Sequence, residues 1–279
     1  ERLPGRKGRL SRTSFVFTPI SFGEFKRACG NVLGKKTLSA YLLSGGSPIA
    51  CSELASGQHL PEYVTQMVSD WVLGEFAAAQ RSRSSLLGVL DVLYRFGGTP
   101  VGQAKLAREG GLANNAVAHG YIDLLSDLMC VVPAFVWDPG KRMLLRRRPC
   151  KYHFVNLLCA ITWHPKKPRT PEDLKLLSPE EEGMLYEWAV AQELWRRACI
   201  LGQEVPDSLP FWESKEHEID FVRSATDFIE VKRGKESPLH FDWFTRTHPK
   251  AKLTIINQAR FETAAIRGIT MEEFLLEGA

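Results

Sequence analysis

Long apolar runs are what this sequence most plainly lacks. No stretch of 18 or more apolar residues occurs in its 279 residues, so no membrane partner or membrane-spanning helix is expected. The first residues carry no signal-peptide apolar core, which makes the cytoplasm the expected compartment. Cysteine is scattered: Cys29, Cys51, Cys130, Cys150, Cys159 and Cys199 include no CxxC pair. That spacing argues against a structural zinc site and for buried or free thiols in a reducing compartment. No GxxxxGK[ST] motif is present, so no phosphate-binding loop for ATP is expected within this chain. A large excess of either charge is missing too. With 36 Lys and Arg against 32 Asp and Glu, the net charge of +4 permits an acidic partner such as nucleic acid without requiring one.

What is present is 44% hydrophobic and 24% charged residues, a globular composition long enough for about two domains. The most informative stretch is EHEIDFVRSATDFIEVKRG, Glu216–Gly234. It reads as two short strands, Glu218–Arg223 and Asp227–Arg233, joined by a polar turn. Successive strand side chains point to opposite sides, so Glu218 and Asp220 share one face and Ile219 and Phe221 the other. In the second strand Phe228, Glu230 and Lys232 share a face. Pairing the strands brings Asp220, Glu230 and Lys232 onto one surface. Two carboxylates from adjacent strands suit a hard divalent cation such as Mg²⁺ or Mn²⁺ and leave room for water and a phosphate oxygen. The Lys232 ammonium can then orient the attacking water or offset charge on the transition state. The competing reading of the same spacing is a hairpin with a solvated, charged outer face.

Upstream, ERLPGRKGRL carries Arg2, Arg6, Lys7 and Arg9 beside two glycines and suits a mobile basic loop, with a strand expected over Thr13–Thr18. Ser21 and Glu24 form a capping box for a short helix. A helical connector follows, in which Tyr63, Met67, Val68, Trp71, Val72 and Phe76 make an apolar stripe expected in the core. From Ser84 the pattern fits three helices and a hairpin. The third helix, Asn114–Leu128, exposes Asn114, Asn115, His119, Asp123 and Asp127, and so lacks the cations of a base-reading helix. The hairpin KRMLLRRRPCK instead supplies Lys141, Arg142, Arg146, Arg147, Arg148 and Lys151, open to nonspecific contact with a nucleic-acid backbone or to packing and oligomer contact. Residues 164–183, rich in proline and charge, read as a flexible linker. Ser178–Pro179 starts a strong helix with Glu180–Glu182 at its positive end. Glu187 and Glu193 on it lie roughly 120° apart around the axis and cannot both point at one site. Thr270 and Glu273 cap the last helix.

The EID, ten residues, EVK arrangement resembles the PD-(D/E)XK nuclease-like core of Holliday junction resolvases and restriction endonucleases. The order of landmarks TPISFGEF (Thr18–Phe25), LYEWAVAQEL (Leu185–Leu194), PFWESKEHEIDFV (Pro210–Val222) and FIEVKRG (Phe228–Gly234) resembles the C-terminal half of a family of prokaryotic AAA-type ATPases with a C-terminal domain of unknown function. The resemblance implies an α/β (α+β) protein with the following divisions: residues 1–30 the end of a truncated ATPase domain, 31–82 a helical connector, 83–163 a winged helix-turn-helix-like domain, 164–183 a linker and 184–279 a nuclease-like domain. It implies Asp220, Glu230 and Lys232 as catalytic residues and Asp220, Glu230 and Glu187 as ligands of Mg²⁺ or Mn²⁺, with Asn257 and Gln258 near the cleft. ATP would bind only in an upstream domain outside this sequence. The expected partners are DNA, bound without sequence preference, that ATPase domain, and a further copy of the chain. The activity implied is metal-dependent cleavage of DNA phosphodiesters, and the alternative is an inactive nuclease-like module that binds nucleic acid or a protein partner.

Overall fold

The computed structural model of the chain describes residues 16–200 and 205–277, so the basic segment 1–12 and residues 13–15 of the strand expected over Thr13–Thr18 lie outside the described residues, and residues 16–18 form no strand. Helix and sheet are mixed, as the α/β expectation requires. The N-terminal part is helical: α1 Phe22–Leu33, α2 Thr37–Ser44, α3 Pro48–Gly57, α4 Glu62–Ala78, α5 Arg83–Arg95, α6 Gln103–Glu109 and α7 Asn115–Asp127. The Ser21–Glu24 capping box opens α1 and the Asn114 side chain caps α7, so these boundaries are set by local hydrogen bonding. The strands β1 Val131–Ala134, β2 Trp137–Asp138, β3 Met143–Leu144 and β4 Lys151–Phe154 follow, with β1 antiparallel to β4 and β2 to β3. Then come α8 Leu157–Trp163, α9 Pro171–Leu174 and the long α10 Pro179–Ile200.

The C-terminal part carries β5 Trp212–Glu213, β6 Glu218–Ile219, β7 Phe221–Ser224, β8 Asp227–Val231, α11 Asp242–Thr247, β9 Lys252–Ile256, β10 Phe261–Glu262, β11 Ile266–Ile269 and α12 Met271–Leu276. Five strands form one sheet in the order β10-β11-β9-β8-β7. Within it β8, β9 and β11 run parallel, and β7 and β10 flank them antiparallel. The crossover from β8 to β9 passes through α11, as parallel neighbours require. Both faces of the sheet are covered, which explains its near-continuous apolar strands. Phe221, Ile229 and Ile256 join a core cluster that continues through α10 and α12 to α1. Val222, Phe228, Leu253 and Ile255 pack with Phe241 and Phe244 on the other side.

Three expectations are corrected here. The 164–183 stretch is held in place: Thr170 and Asp173 form a capping box, Leu60 N–H donates to the Arg169 carbonyl, and Leu174 is buried. Proline and charge mark its turns, yet its side chains are tied to the body. The apolar stripe of α4 is split, with Val64, Val68, Val72 and Phe76 buried while Tyr63, Met67 and Trp71 stay 40–53% exposed. Every fourth residue returns to one helix face, and the core takes only the narrower valine row. Lys151, grouped with the basic hairpin, belongs instead to β4 and is fully buried. No helix among the described residues is long and apolar enough to cross a membrane.

Candidate metal and phosphate site

Asp220 sits where the chain changes sheets. β6 pairs with β5 through Ile219 and Trp212, and β7 pairs with β8 through Phe221 and Ile229. Between these pairings the Asp220 carboxylate turns inward and accepts the Val231 N–H at 2.9 Å, while its own N–H donates to Glu230 Oε2 at 3.2 Å. The Glu230 carboxylate is thus tied to the Asp220 backbone, and the Asp220 carboxylate to that of Val231 at the end of β8. Lys232, one residue beyond β8, bonds Glu230 Oε1. The structure therefore brings Asp220, Glu230 and Lys232 together. Glu187, from the middle of α10, is linked to Asp220 through the Lys151 ammonium, whereas Glu193 binds Arg196 at 2.8 Å and Arg197 at 2.7 Å on its own helix.

Two further residues belong to the group. Lys151 Nζ lies 2.6 Å from Glu218, 3.1 Å from Asp220 and 3.4 Å from Glu187. His153, two residues along the same strand, is fully buried with neither ring nitrogen hydrogen-bonded, and its Nδ1 is 3.6 Å from Glu187 Oε1. Sequence reasoning placed Glu218 beside Asp220 without giving it a role, assigned Lys151 to the hairpin and passed over His153. The available signal was the alternation Lys151-Tyr152-His153-Phe154, which sets two titratable groups on one side of an otherwise apolar strand.

Electrostatics follow from burial and crowding. Burial and the neighbouring Asp220 charge push Glu230 up to about 8 despite Lys232. Burial pushes Glu187 up to about 7, with Lys151 opposing and Asp220 adding. For Asp220 burial acts upward, but Lys151, Lys232 and the Val231 N–H outweigh it and hold the carboxyl below its ordinary value. Burial acts against the Lys151 charge, and Glu187, Asp220 and Glu218 overcome it, keeping the ammonium protonated well above lysine's usual range. Burial, with the Lys151 charge beside it, pushes His153 down to about 3, so its ring is neutral. Crowded carboxylates with separated proton affinities are a pattern of functional sites.

Beside Lys232 opens a cleft of about 460 Å³ lined by Lys232, Arg233, Asn257, Gln258, Arg260 and Thr270. Lys232, Asn257 and Thr270 directly follow β8, β9 and β11, so the cleft lies at the carboxyl ends of three parallel strands, where open α/β sheets bind ligands. Arg233 is paired with Glu182 at 2.9 Å and Arg260 with Glu273 at 2.7 Å. Asn257 accepts the Glu236 and Ala259 N–H groups and fixes the cleft's floor.

The donors suit a hard cation in kind, being carboxylate oxygens. In arrangement, the position that Glu187, Glu218 and Asp220 share is the one the Lys151 ammonium takes. Among the described residues no three His, Cys, Asp or Glu side chains form a group that could hold a metal ion as they stand. The hairpin residues Lys141, Arg142, Arg146, Arg147 and Arg148 are exposed and stay outside this group; Arg146 meets Asp207 at 2.6 Å and Arg148 meets Glu213 at 3.3 Å. The chain matches no protein-family model, no curated protein and no solved structure.

Proposed function

We propose that this chain is a metal-dependent nuclease that hydrolyses DNA phosphodiesters with Mg²⁺ or Mn²⁺ at Asp220 and Glu230, aided by Glu187 and Lys232. The observation that carries this reading is the meeting of Asp220, Glu230 and Lys232 at the carboxyl end of β8, with Glu187 linked to Asp220 through the Lys151 ammonium, beside a cleft lined by three cations. The order of α10, the β5–β6 and β7–β8 hairpins, α11 and β9 supports a nuclease-like domain. The helices α5–α7 with the β2–β3 hairpin support a winged helix before it. Asp220, Glu230 and Glu187 would hold the ion, which would polarise a phosphate oxygen and lower the proton affinity of bound water. The chain's own groups do the rest. Lys232 offsets negative charge growing on the phosphoryl oxygens. Arg233 and Arg260 draw the neighbouring phosphates into the cleft. In the reaction a water oxygen bonds to phosphorus and one bridging ester bond breaks. The water's proton passes to solvent, and the departing oxygen takes a proton in return.

The test is cleavage of labelled single-stranded, duplex and branched DNA with Mn²⁺ or Mg²⁺ by this chain and by Lys151→Met. Metal-dependent products that vanish in Asp220→Ala and Lys232→Ala support the nuclease. No products from any substrate with either protein, the fold being intact by circular dichroism, would overturn it. One observation favours a second reading, a non-catalytic module that binds nucleic acid or a protein partner: the Lys151 ammonium already balances the carboxylates.

A further inference from the structure

A lysine with no exposed surface is costly, because its charge must be stripped of water. Lys151 offsets that cost with three carboxylates, one for each ammonium proton: Glu218 at 2.6 Å, Asp220 at 3.1 Å and Glu187 at 3.4 Å. Its stem runs beside the Phe211 ring, 5.3 Å from ammonium to centroid. The lysine comes from β4, whereas its partners come from α10, β6 and the β6–β7 junction. The preceding module therefore delivers the cation.

His153 is the independent observation. It is fully buried, makes no hydrogen bond through either nitrogen, and directs Nδ1 toward Glu187 from the strand that carries Lys151. A buried polar group left without a partner costs about 1–3 kcal/mol. The ammonium-filled pocket does not use this nitrogen. A neutral imidazole beside Glu187, which shares the Lys151 ammonium with Glu218 and Asp220, adds a nitrogen to the donors for a divalent ion such as Mn²⁺.

We propose that Glu187, Glu218, Asp220 and His153 form a cation pocket whose resident occupant is the Lys151 ammonium, and that Lys151 and a divalent ion exclude each other there. A metal bonds carboxylate oxygens at about 2.0–2.6 Å, which would set it almost on top of an ammonium that already bonds the same oxygens. Two cations cannot share that space. Withdrawal of β4 from the pocket, or loss of the lysine charge, opens the site; that this gates cleavage rests on the nuclease reading, while the exclusion itself does not.

The test is Mn²⁺ binding to the full chain, followed by electron paramagnetic resonance and calorimetry at pH 7, in wild type, Lys151→Met and Lys151→Met with His153→Ala. Lys151→Met is expected to bind one Mn²⁺ at least tenfold more tightly than wild type. Its thermal midpoint should rise with Mn²⁺ where that of wild type does not, and removal of His153 should abolish the nitrogen coupling in the spin-echo spectrum. Equal Mn²⁺ affinity in wild type and Lys151→Met would overturn the proposal, as would a folded Lys151→Met that binds none. Should that variant fail to fold, Lys151→Gln takes its place under the same two outcomes. Tight Mn²⁺ binding by wild type that Asp220→Asn removes contradicts exclusion. Cleavage reports separately on the nuclease. Mn²⁺ bound by Lys151→Met without cleavage keeps the pocket and removes the enzyme. Cleavage by wild type with Mn²⁺ bound at Asp220 keeps the enzyme and removes the exclusion.

Discussion

The basic run 141–151 holds cations in two opposite environments. Lys141, Arg142 and Arg146–Arg148 stand in water on the β2–β3 hairpin and the turn after it, and Lys151, three residues on, is buried among carboxylates. The change comes at Cys150, whose backbone bonds Val101 and brings the chain into the core, where β4 pairs with β1. Side chains of one chemical type thus act as solvated surface charge on one side of a proline and as an internal counter-ion on the other. Net charge is blind to this difference, because what matters is how much water each cation keeps.

The sharpest way to break the comparison is to remove the buried cation. Lys151→Ala leaves Asp220, Glu218 and Glu187 without their ammonium and is expected to cost about 3–5 kcal/mol by urea unfolding. The deficit should grow from pH 5 to pH 8 as the freed acids ionise. Glu193→Ala, about two turns along α10 from Glu187, removes the two hydrogen bonds that the buried Arg196 donates to that carboxylate. It should cost less, about 2–3 kcal/mol, because Arg197 is already 18% exposed and can return to water. A Lys151→Ala effect below about 1 kcal/mol would show that the carboxylates need no internal cation.

Glu230→Gln probes the same pocket through pH. The Glu230 value is near 8 in the folded protein, raised by burial and by Asp220, against about 4.5 when unfolded. The native state therefore holds the extra proton between those values. The stability this group supplies is complete below about pH 4.5 and is lost as pH rises to about 8. Glutamine keeps the neutral form, and His153 titrates alike in both proteins, so its contribution cancels in the difference. Relative to Glu230→Gln, wild type should weaken steadily between pH 5 and pH 8. Urea midpoints at pH 5, 6.5 and 8 would show this, and a constant gap would mean that Glu230 is already ionised in the native state.

How much of this was legible in the sequence depends on distance along the chain. The Ser21–Glu24 and Thr270–Glu273 capping boxes are short-range, and both form. The meeting of Asp220, Glu230 and Lys232 was legible in its outcome, but the single strand expected over Glu218–Arg223 breaks at Asp220 into β6 and β7, which sends Ile219 and Phe221 to different cores instead of one face. The separation of Glu187 from Glu193 follows from helical angle alone, although the angle does not say which of them faces the site. Lys151 lies 69 residues from Asp220 and sits in a run of surface cations, so no local pattern marks it as internal. The alternation around it carried that information, but the arginine run masked it. The split stripe of α4 failed for a related reason: apolar periodicity names a face without saying how wide a face the neighbouring helices cover.

The smallest expected effect sharpens the other half of the comparison. Replacing Arg146, Arg147 and Arg148 together by Ala removes exposed charges, two of them in surface pairs to Asp207 and Glu213, with the Arg146 guanidinium also 4.9 Å from the Phe135 ring centroid. Such pairs are worth about 0–1 kcal/mol each, so the thermal midpoint should hardly move. DNA affinity is the discriminating readout. For every phosphate that the variant no longer neutralises, the slope of log affinity against log salt should fall by about 0.9 on duplex DNA. A backbone-binding hairpin therefore predicts a slope shallower by roughly 2–3 in the triple variant, with no change in sequence preference. An unchanged slope would assign the hairpin to packing or to association between copies of the chain. It would leave Lys232, Arg233 and Arg260 as the cations that meet nucleic acid. Because the hairpin cations stand apart from the Lys151 pocket, the triple variant should leave Mn²⁺ binding by Lys151→Met untouched. A coupled loss of both would show that the two ends of the basic run act as one surface after all.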